Sequence, residues 1–243
     1  MKNRKKTGGK VSLAILAALV CSLTACGNQE KAKEDDGKYH IGICQWEEHA
    51  ALDEATRGFQ DALTEKLGEK VVFDVQIAQG STQDCQDILN GFVSADMDLI
   101  MANATSALMA AAQATNTIPI VATSITDYGT ALNMREWNGA SGVNVTGTSD
   151  LAPIESQADM IQELVPDAEK VGIVYCSVET NSIFQAQKMG AVLTEKGIAF
   201  ETYTITDKEE LEKKVQKAAA ECDVLYIPTD NTIASQADIL KKF

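Results

Sequence analysis

The chain has 243 residues and a mass of 26.1 kDa, and 45% of its residues are hydrophobic while 23% are charged, the balance of a globular protein with a sizeable core. It carries 21 Lys and Arg against 35 Asp and Glu, a formal charge of −14. Such acidity repels a phosphate backbone, so no nucleic-acid partner is expected.

The first ten residues hold Lys2, Arg4, Lys5, Lys6 and Lys10 with no acid, and an apolar run over residues 11–20 follows. This is the n-region and h-region of a signal peptide, shorter than the roughly 20 residues that span a bilayer. Leu23-Thr24-Ala25-Cys26 resembles the bacterial lipobox. Residues 1–25 are therefore expected to be removed, Cys26 to carry diacylglycerol, and the protein to sit lipid-anchored on the extracytoplasmic face of the cell membrane. Residues 26–38 read as a polar tether. Without the five basic residues of the leader, 16 Lys and Arg face 35 Asp and Glu, a formal −19.

From Tyr39 onward, short apolar runs alternate with longer stretches of helical periodicity, the pattern of α/β architecture around parallel sheets. Residues 39–46 predict a strand. Leu52, Ala55, Phe59, Ala62, Leu63 and Leu67 then share one helical face until Gly68 stops it. Val71, Phe73, Val75 and Ile77 alternate as a strand, and Ser81 with Asp84 reads as a capping box opening the next helix. Residues 98–102 predict a buried strand, 105–114 a helix and 118–123 a fourth strand, closing a first lobe over residues 39–148.

A polar, Gly-containing passage over residues 127–148 precedes a second lobe, residues 149–243. Its helices are expected over 151–164, 182–195, 207–221 and from 232 onward, the third capped by Thr206 with Glu209; its strands over 170–175, 199–204 and 223–227. The overall expectation is two Rossmann-like parallel-sheet lobes with the second incomplete.

Six cysteines are present, of which Cys21 lies in the leader and Cys26 is the lipid site. Cys44, Cys85, Cys176 and Cys222 form no C-x-x-C pair, and with only His40 and His49 no zinc spacing exists. Buried free thiols are expected, with pairing left open. There is no G-x-S-x-G, no P-loop and no G-x-G-x-x-G, so neither a nucleotide nor another cofactor is expected, nor a catalytic residue.

In open parallel sheets ligands sit beyond the carboxyl ends of the strands. Those ends hold Gln45, Trp46 and His49, residues 103–106 and 124–128 in the first lobe, and residues 177–182 and 228–231 in the second. Hydroxyls, amides and three carboxylates, Asp127, Glu179 and Asp230, predominate over cations there, which suits a small zwitterion. The three carboxylates are expected to face one another across a closed cleft, with Trp46 and Tyr128 covering an apolar or aromatic side chain. Each residue also has an ordinary role, as helix cap, loop former or core.

The stretch from Ile41 through Gln45, Trp46 and His49 to Asp53 carries a family resemblance. So do the pair Thr126-Asp127, the run from Asn144 to Asp150, Glu179-Thr180-Asn181-Ser182 and Pro228-Thr229-Asp230-Asn231. In order and spacing they resemble the ABC-transporter substrate-binding lipoproteins of the tryptophan/tyrosine-binding type. The resemblance implies a type I periplasmic-binding-protein fold and capture of a small solute, an aromatic or other amino acid, between two lobes. It also implies delivery to a permease driven by a separate ATPase. Carried onto this chain, the ligand contacts it implies are His49, Thr105, Ser106, Thr126, Asp127, Glu179, Asn181, Ser182, Asp230 and Asn231, to which Trp46 is added from its position. Ala50 stands where that family has proline. The family continues beyond the position of Phe243, so a truncated second lobe of weakened stability is expected. Two other functions compete: a ligand-sensing protein serving a membrane receptor, and a glycoside hydrolase using two of the carboxylates.

Overall fold

A computed structural model describes residues 36–242, so the leader, Cys21, Cys26 and most of the tether lie outside the described residues. The first lobe holds a five-stranded parallel sheet of order β2-β1-β3-β4-β5. Its strands are β1 (Tyr39–Gln45), β2 (Val71–Ile77), β3 (Leu99–Asn103), β4 (Ile120–Ile125) and β5 (Val145–Ser149). The connecting helices are α1 (Ala50–Leu67), α2 (Thr82–Ser94), α3 (Thr105–Ala114) and the single turn α4 (Tyr128–Ala131). The second lobe begins with α5 (Ile154–Leu164) and holds β6 (Lys170–Cys176), α6 (Thr180–Glu195), β7 (Ala199–Ile205), α7 (Leu211–Glu221) and β8 (Val224–Tyr226). Its parallel sheet has order β7-β6-β8, and two short turns, α8 (Asn231–Ala234) and α9 (Ala237–Leu240), follow.

Parallel strands need crossover connections, and the helices that supply them cover both faces of each sheet. In the first lobe Ile41, Ile43 and Met101 face Phe59 and Leu63 of α1. On the other face Cys44, Ile100 and Ala102 pack against Cys85, Leu89 and Phe92 of α2 and Ala107 and Leu108 of α3. The second lobe repeats the arrangement. Val171 and Ile173 of β6 meet α5 and α6, while Val174 and Cys176 meet Leu211 and Val215 of α7. Each fully buried aliphatic or aromatic side chain contributes about 1.5–3 kcal/mol, so the central strands β1, β3 and β6 anchor both lobes.

Three local expectations differ from the structure. The passage over residues 127–148 contains α4 and runs into β5, an edge strand that pairs with β4. Four of its five residues are exposed, so it has no apolar alternation to reveal it. A Cβ at Gly147 stands 1.9 Å from the Ala122 carbonyl oxygen, so this contact between β4 and β5 requires glycine. Asp207 caps a single 3-10 turn, Lys208–Glu210, that leads into α7, its side chain accepting from Glu209 N, and α7 itself starts without a side-chain cap; the Thr206 N–H instead donates to Glu210 Oε2 at 2.9 Å. One residue of offset decides which oxygen reaches the first free N–H. The segment expected as one final helix breaks at Ser235 and Gln236 into α8 and α9. At α2 the expected cap forms, with Ser81 Oγ accepting from Asp84 N.

Candidate functional site

The carboxyl ends of β1, β3 and β6 and the loop after β8 carry the polar residues, and the two lobes meet there. Among the described residues, two side-chain to side-chain hydrogen bonds cross between lobes. His49 Nε2 donates to Asn231 Oδ1 at 3.2 Å, and Gln185 Nε2 donates to Thr126 Oγ1 at 3.5 Å. A cavity of about 130 Å³ lies between the lobes, lined by Trp46, Cys85, Ser106 and Met109 from the first and Val178 and Thr180 from the second.

The wall from the first lobe is set by a chain of hydrogen bonds. Gln45 Nε2 donates to Asp53 Oδ1 (2.7 Å) and to the Glu47 carbonyl (2.9 Å), which turns Gln45 Oε1 toward the Thr56 hydroxyl at 2.6 Å. Having given its proton to Gln45, the Thr56 oxygen accepts from Asn103 Nδ2 at 3.0 Å, and the same nitrogen donates to the Leu52 carbonyl at 2.8 Å. Every orientation in this relay is fixed by the donor or acceptor character of its neighbour, and the relay leaves Asn103 Oδ1 buried with no partner. Asn103 belongs to a strand end visible in the sequence but is absent from the set of contacts drawn there. The signal that finds it is its register opposite Gln45 across β1 and β3.

Next along the chain is Ala104, at φ 89° and ψ 158°, a region of the backbone map populated almost only by glycine. Holding alanine there costs about 1–3 kcal/mol. As the residue before α3, Ala104 offers no side-chain cap, so the first N–H groups of this ten-residue helix have neither an intrahelical acceptor nor a capping side chain at that position. Thr105 is buried and its Oγ1 has no partner; Ser106 lines the cavity.

The wall from the second lobe is organised by Glu179, which is fully buried. Its Oε2 accepts from Asn181 Nδ2 (3.0 Å), Asn231 N (3.2 Å) and Asn231 Nδ2 (2.7 Å); its Oε1 accepts from Thr232 N (2.8 Å) and Thr232 Oγ1 (2.7 Å). Asn181 Nδ2 also donates to the Thr229 carbonyl at 2.9 Å and to Ser182 Oγ at 3.3 Å, so Asn181 Oδ1 is left buried and partnerless. Asp230 accepts from Cys176 N (2.6 Å) and Ile233 N (2.9 Å), and burial, with the Glu179 charge adding to it, pushes its carboxyl up to about 6.

The expected triad of carboxylates facing across the cleft is therefore rearranged. Glu179 and Asp230 both lie in the second lobe and hold its loops together. Asp127 Oδ1 caps α4, accepting from Thr130 N and Thr130 Oγ1 at 2.7 Å each. Trp46 and Tyr128 also part company. Tyr128 stacks on Trp137, with centroids 5.7 Å apart, and its hydroxyl donates to the Ala122 carbonyl at 3.1 Å. Asp127, Tyr128 and Thr126 line a separate cavity of about 690 Å³ beside β5. That cavity is lined by the first lobe and the segment through Leu151 that leads into the second. Trp46, by contrast, is buried at the meeting of the lobes and its Nε1–H has no partner. Among the described residues, the buried side-chain polar atoms without a partner are Trp46 Nε1, Asn103 Oδ1, Thr105 Oγ1 and Asn181 Oδ1. Trp46 follows β1, Asn103 ends β3, and Thr105 and Asn181 lie in the first turns of α3 and α6, the helices that follow β3 and β6.

The model of the family described as ABC transporter substrate binding protein matches residues 40–243. A tyrosine-binding protein of Clostridioides difficile (strain R20291) is 35% identical over 251 aligned positions, covering 96% of this chain and 70% of that protein. The crystal structure of an ABC domain from Streptococcus pneumonia in complex with L-Trp is 30% identical with a TM-score of 0.79, over 84% of this chain and 69% of that one. The ligand-free, open structure of a substrate-binding protein with adhesive properties from Clostridium difficile is 33% identical with a TM-score of 0.58, over 84% and 70%. Its two parallel α/β lobes are those of a type I periplasmic binding protein, and the chain belongs to the ABC transporter substrate-binding protein family.

Proposed function

We propose that this protein captures an amino acid, with tryptophan and tyrosine as the first candidates, between its two lobes and presents it to the permease of an ABC importer. The carrying observation is the set of four partnerless polar atoms. A buried polar group without a partner costs about 1–3 kcal/mol, so four of them, at the carboxyl ends of β1 and β3 and the starts of α3 and α6, support a ligand of matching chemistry there. The amide oxygens of Asn103 and Asn181 suit an ammonium. Thr105 Oγ1, the open N–H groups at the start of α3 and the Trp46 indole N–H suit a carboxylate. Ser106 borders the same space, and His49 with Asn231 latches the lobes together. Glu179, Ser182 and Asp230 act as positioning residues; Thr126 receives the second latch, and Asp127 shapes the loop beside it.

The arrangement of the lobes supports the same reading. At equal coverage of this chain, the superposition is closer on the relative bound to L-Trp than on the ligand-free, open one, with TM-scores of 0.79 and 0.58. Two latching hydrogen bonds between lobes fit a closed form. The carboxylates support binding without turnover in this reading: five donors engage Glu179, two backbone N–H groups hold Asp230, and Asp127 Oδ1 caps α4.

Substrate-binding proteins of ABC transporters work outside the cytoplasm, and the proposed lipid on Cys26 keeps the catching domain beside its permease, raising their effective concentration. Titration calorimetry with the twenty amino acids tests the ligand: saturable heat with tryptophan or tyrosine is expected, and no heat with any amino acid in a protein shown to be folded removes the proposal. Metabolic labelling with palmitate, lost in Cys26→Ser, tests the anchor.

A further inference from the structure

Cys44 is the penultimate residue of β1, within its buried run, and Cys85 sits in the first turn of α2. Their sulfurs are 3.5 Å apart, and both side chains are fully buried. The approach is built into the packing of helix on strand. Two residues before Cys44 and on the same face, Gly42 admits the Phe92 ring so closely that a Cβ there stands 2.6 Å from it, and Phe92 lies two turns beyond Cys85 on the same helix. At the far end, Ala78 N donates to the Gln45 carbonyl and Gly80 N to the Trp46 carbonyl, at 2.8 and 2.9 Å, pinning the loop that leads into α2. Strand and helix are thus held in register on both sides of the thiol pair. The sulfurs stand 3.5 Å apart, against a bonded separation of about 2.05 Å, so forming the bond closes a gap of about 1.5 Å.

We infer that Cys44 and Cys85 form a disulfide that staples β1 to α2 directly behind Trp46. Cys85 borders the cavity between the lobes, and because both thiols are fully buried once β1 and α2 have packed, a dissolved disulfide meets them while the chain folds. The hydrogen bond with Cys44 holds the Cys85 thiol below its ordinary value, and the same bond, with burial, pushes Cys44 up, so Cys85 is the first nucleophile. With glutathione disulfide as oxidant, the Cys85 thiolate attacks one glutathione sulfur, breaking its S–S bond and releasing one glutathione thiolate. Cys44, losing its proton, then attacks the Cys85 sulfur and displaces the second. One protein disulfide forms, two electrons pass to glutathione disulfide, and the two thiol protons finish on two glutathione molecules. An extracytoplasmic protein meets such oxidants as it folds. The staple closes a loop of 41 residues and fixes the strand end that carries Gln45 and Trp46. It is independent of which ligand is bound.

The test is performed on the full chain refolded with glutathione disulfide, alkylated without reduction, digested and weighed. A linked pair of peptides containing Cys44 and Cys85 is expected, with Cys176 and Cys222 alkylated. Alkylated Cys44 and Cys85, or linkage of either to another cysteine, overturns the proposal. Reduction is expected to lower Tm by roughly 10 °C in the parent chain and to leave Cys44→Ala/Cys85→Ala unmoved. An equal response of both chains to reductant also overturns it.

Discussion

Replacing Glu179 by Gln tests the claim that this residue organises the second wall of the site and does not itself meet the ligand. The amide keeps one oxygen and turns the other into a donor. If the carbonyl takes the place of Oε2, it retains Asn181 Nδ2, Asn231 N and Asn231 Nδ2, and the new NH₂ meets Thr232 N and Thr232 Oγ1. The hydroxyl can rotate to accept, but the backbone N–H cannot, so two donors confront each other in a fully buried place. Leaving them unpaired costs about 2–5 kcal/mol. Against this, loss of the Glu179 charge relieves Asp230. Burial is the larger cause of that group's rise from 3.8 to about 6, so the relief is smaller than half of the roughly 3 kcal/mol that two pKa units represent. The net loss is about 3 kcal/mol, or about 6–12 °C in Tm for a protein of this size. Urea denaturation with an unchanged m-value is the assay. A loss below about 1 kcal/mol refutes the reasoning, because it means the five hydrogen bonds to Glu179 do not hold the loops.

Three other outcomes follow from single residues. Asp230, raised by burial and by Glu179, binds its proton more tightly folded than unfolded; its contribution to stability is full below about pH 4 and is lost as pH rises through about 6. In Asp230→Asn that dependence is expected to disappear, so the stability difference from the parent chain changes by about 3 kcal/mol between pH 4 and pH 7; an equal difference at both pH values rules out this group. Ala104→Gly relieves a backbone conformation at φ 89° and is expected to gain about 1 kcal/mol after the added entropy of glycine, raising Tm by about 2–4 °C; an unchanged or lower Tm contradicts the strain. Trp46→Phe removes a buried donor that has no partner in the protein, so it is expected to leave Tm within a few degrees while weakening amino-acid binding about tenfold, roughly 1.4 kcal/mol; unchanged affinity takes the indole N–H out of the site.

The two kinds of polar residue at the strand ends divide the work of recognition. Glu179, Gln45, Thr56 and Asp53 satisfy one another or their own loops, and by doing so they hold Asn103 and Asn181 with one amide atom fixed and the other open. A site held this way loses little side-chain entropy when a ligand arrives, which is the main advantage of preorganisation. The hydrogen bond between His49 and Asn231 joins the lobes through residues 182 positions apart, and in the proposed function it couples closure to capture.

The sequence by itself determined the alternation of strand and helix, because parallel strands buried on both faces must be apolar runs and their crossover helices must be amphipathic. Both signals are local and survive in β1 and in α3, the latter starting at Thr105 as its pattern requires. The same locality hid β5, whose exposed residues are a strand only because β4 lies beside them, and moved the expected cap from Thr206 to Asp207, on the turn that precedes α7. For the site, the sequence named the strand ends but not the role of each side chain there. Glu179 has donors 52 and 53 residues away, and the orientation of Asn103 depends on Thr56 and Leu52, 47 and 51 residues before it. Whether a buried polar atom is satisfied by its own protein or left for a ligand is a property of the assembled hydrogen-bond network, and only the tertiary structure assembles it.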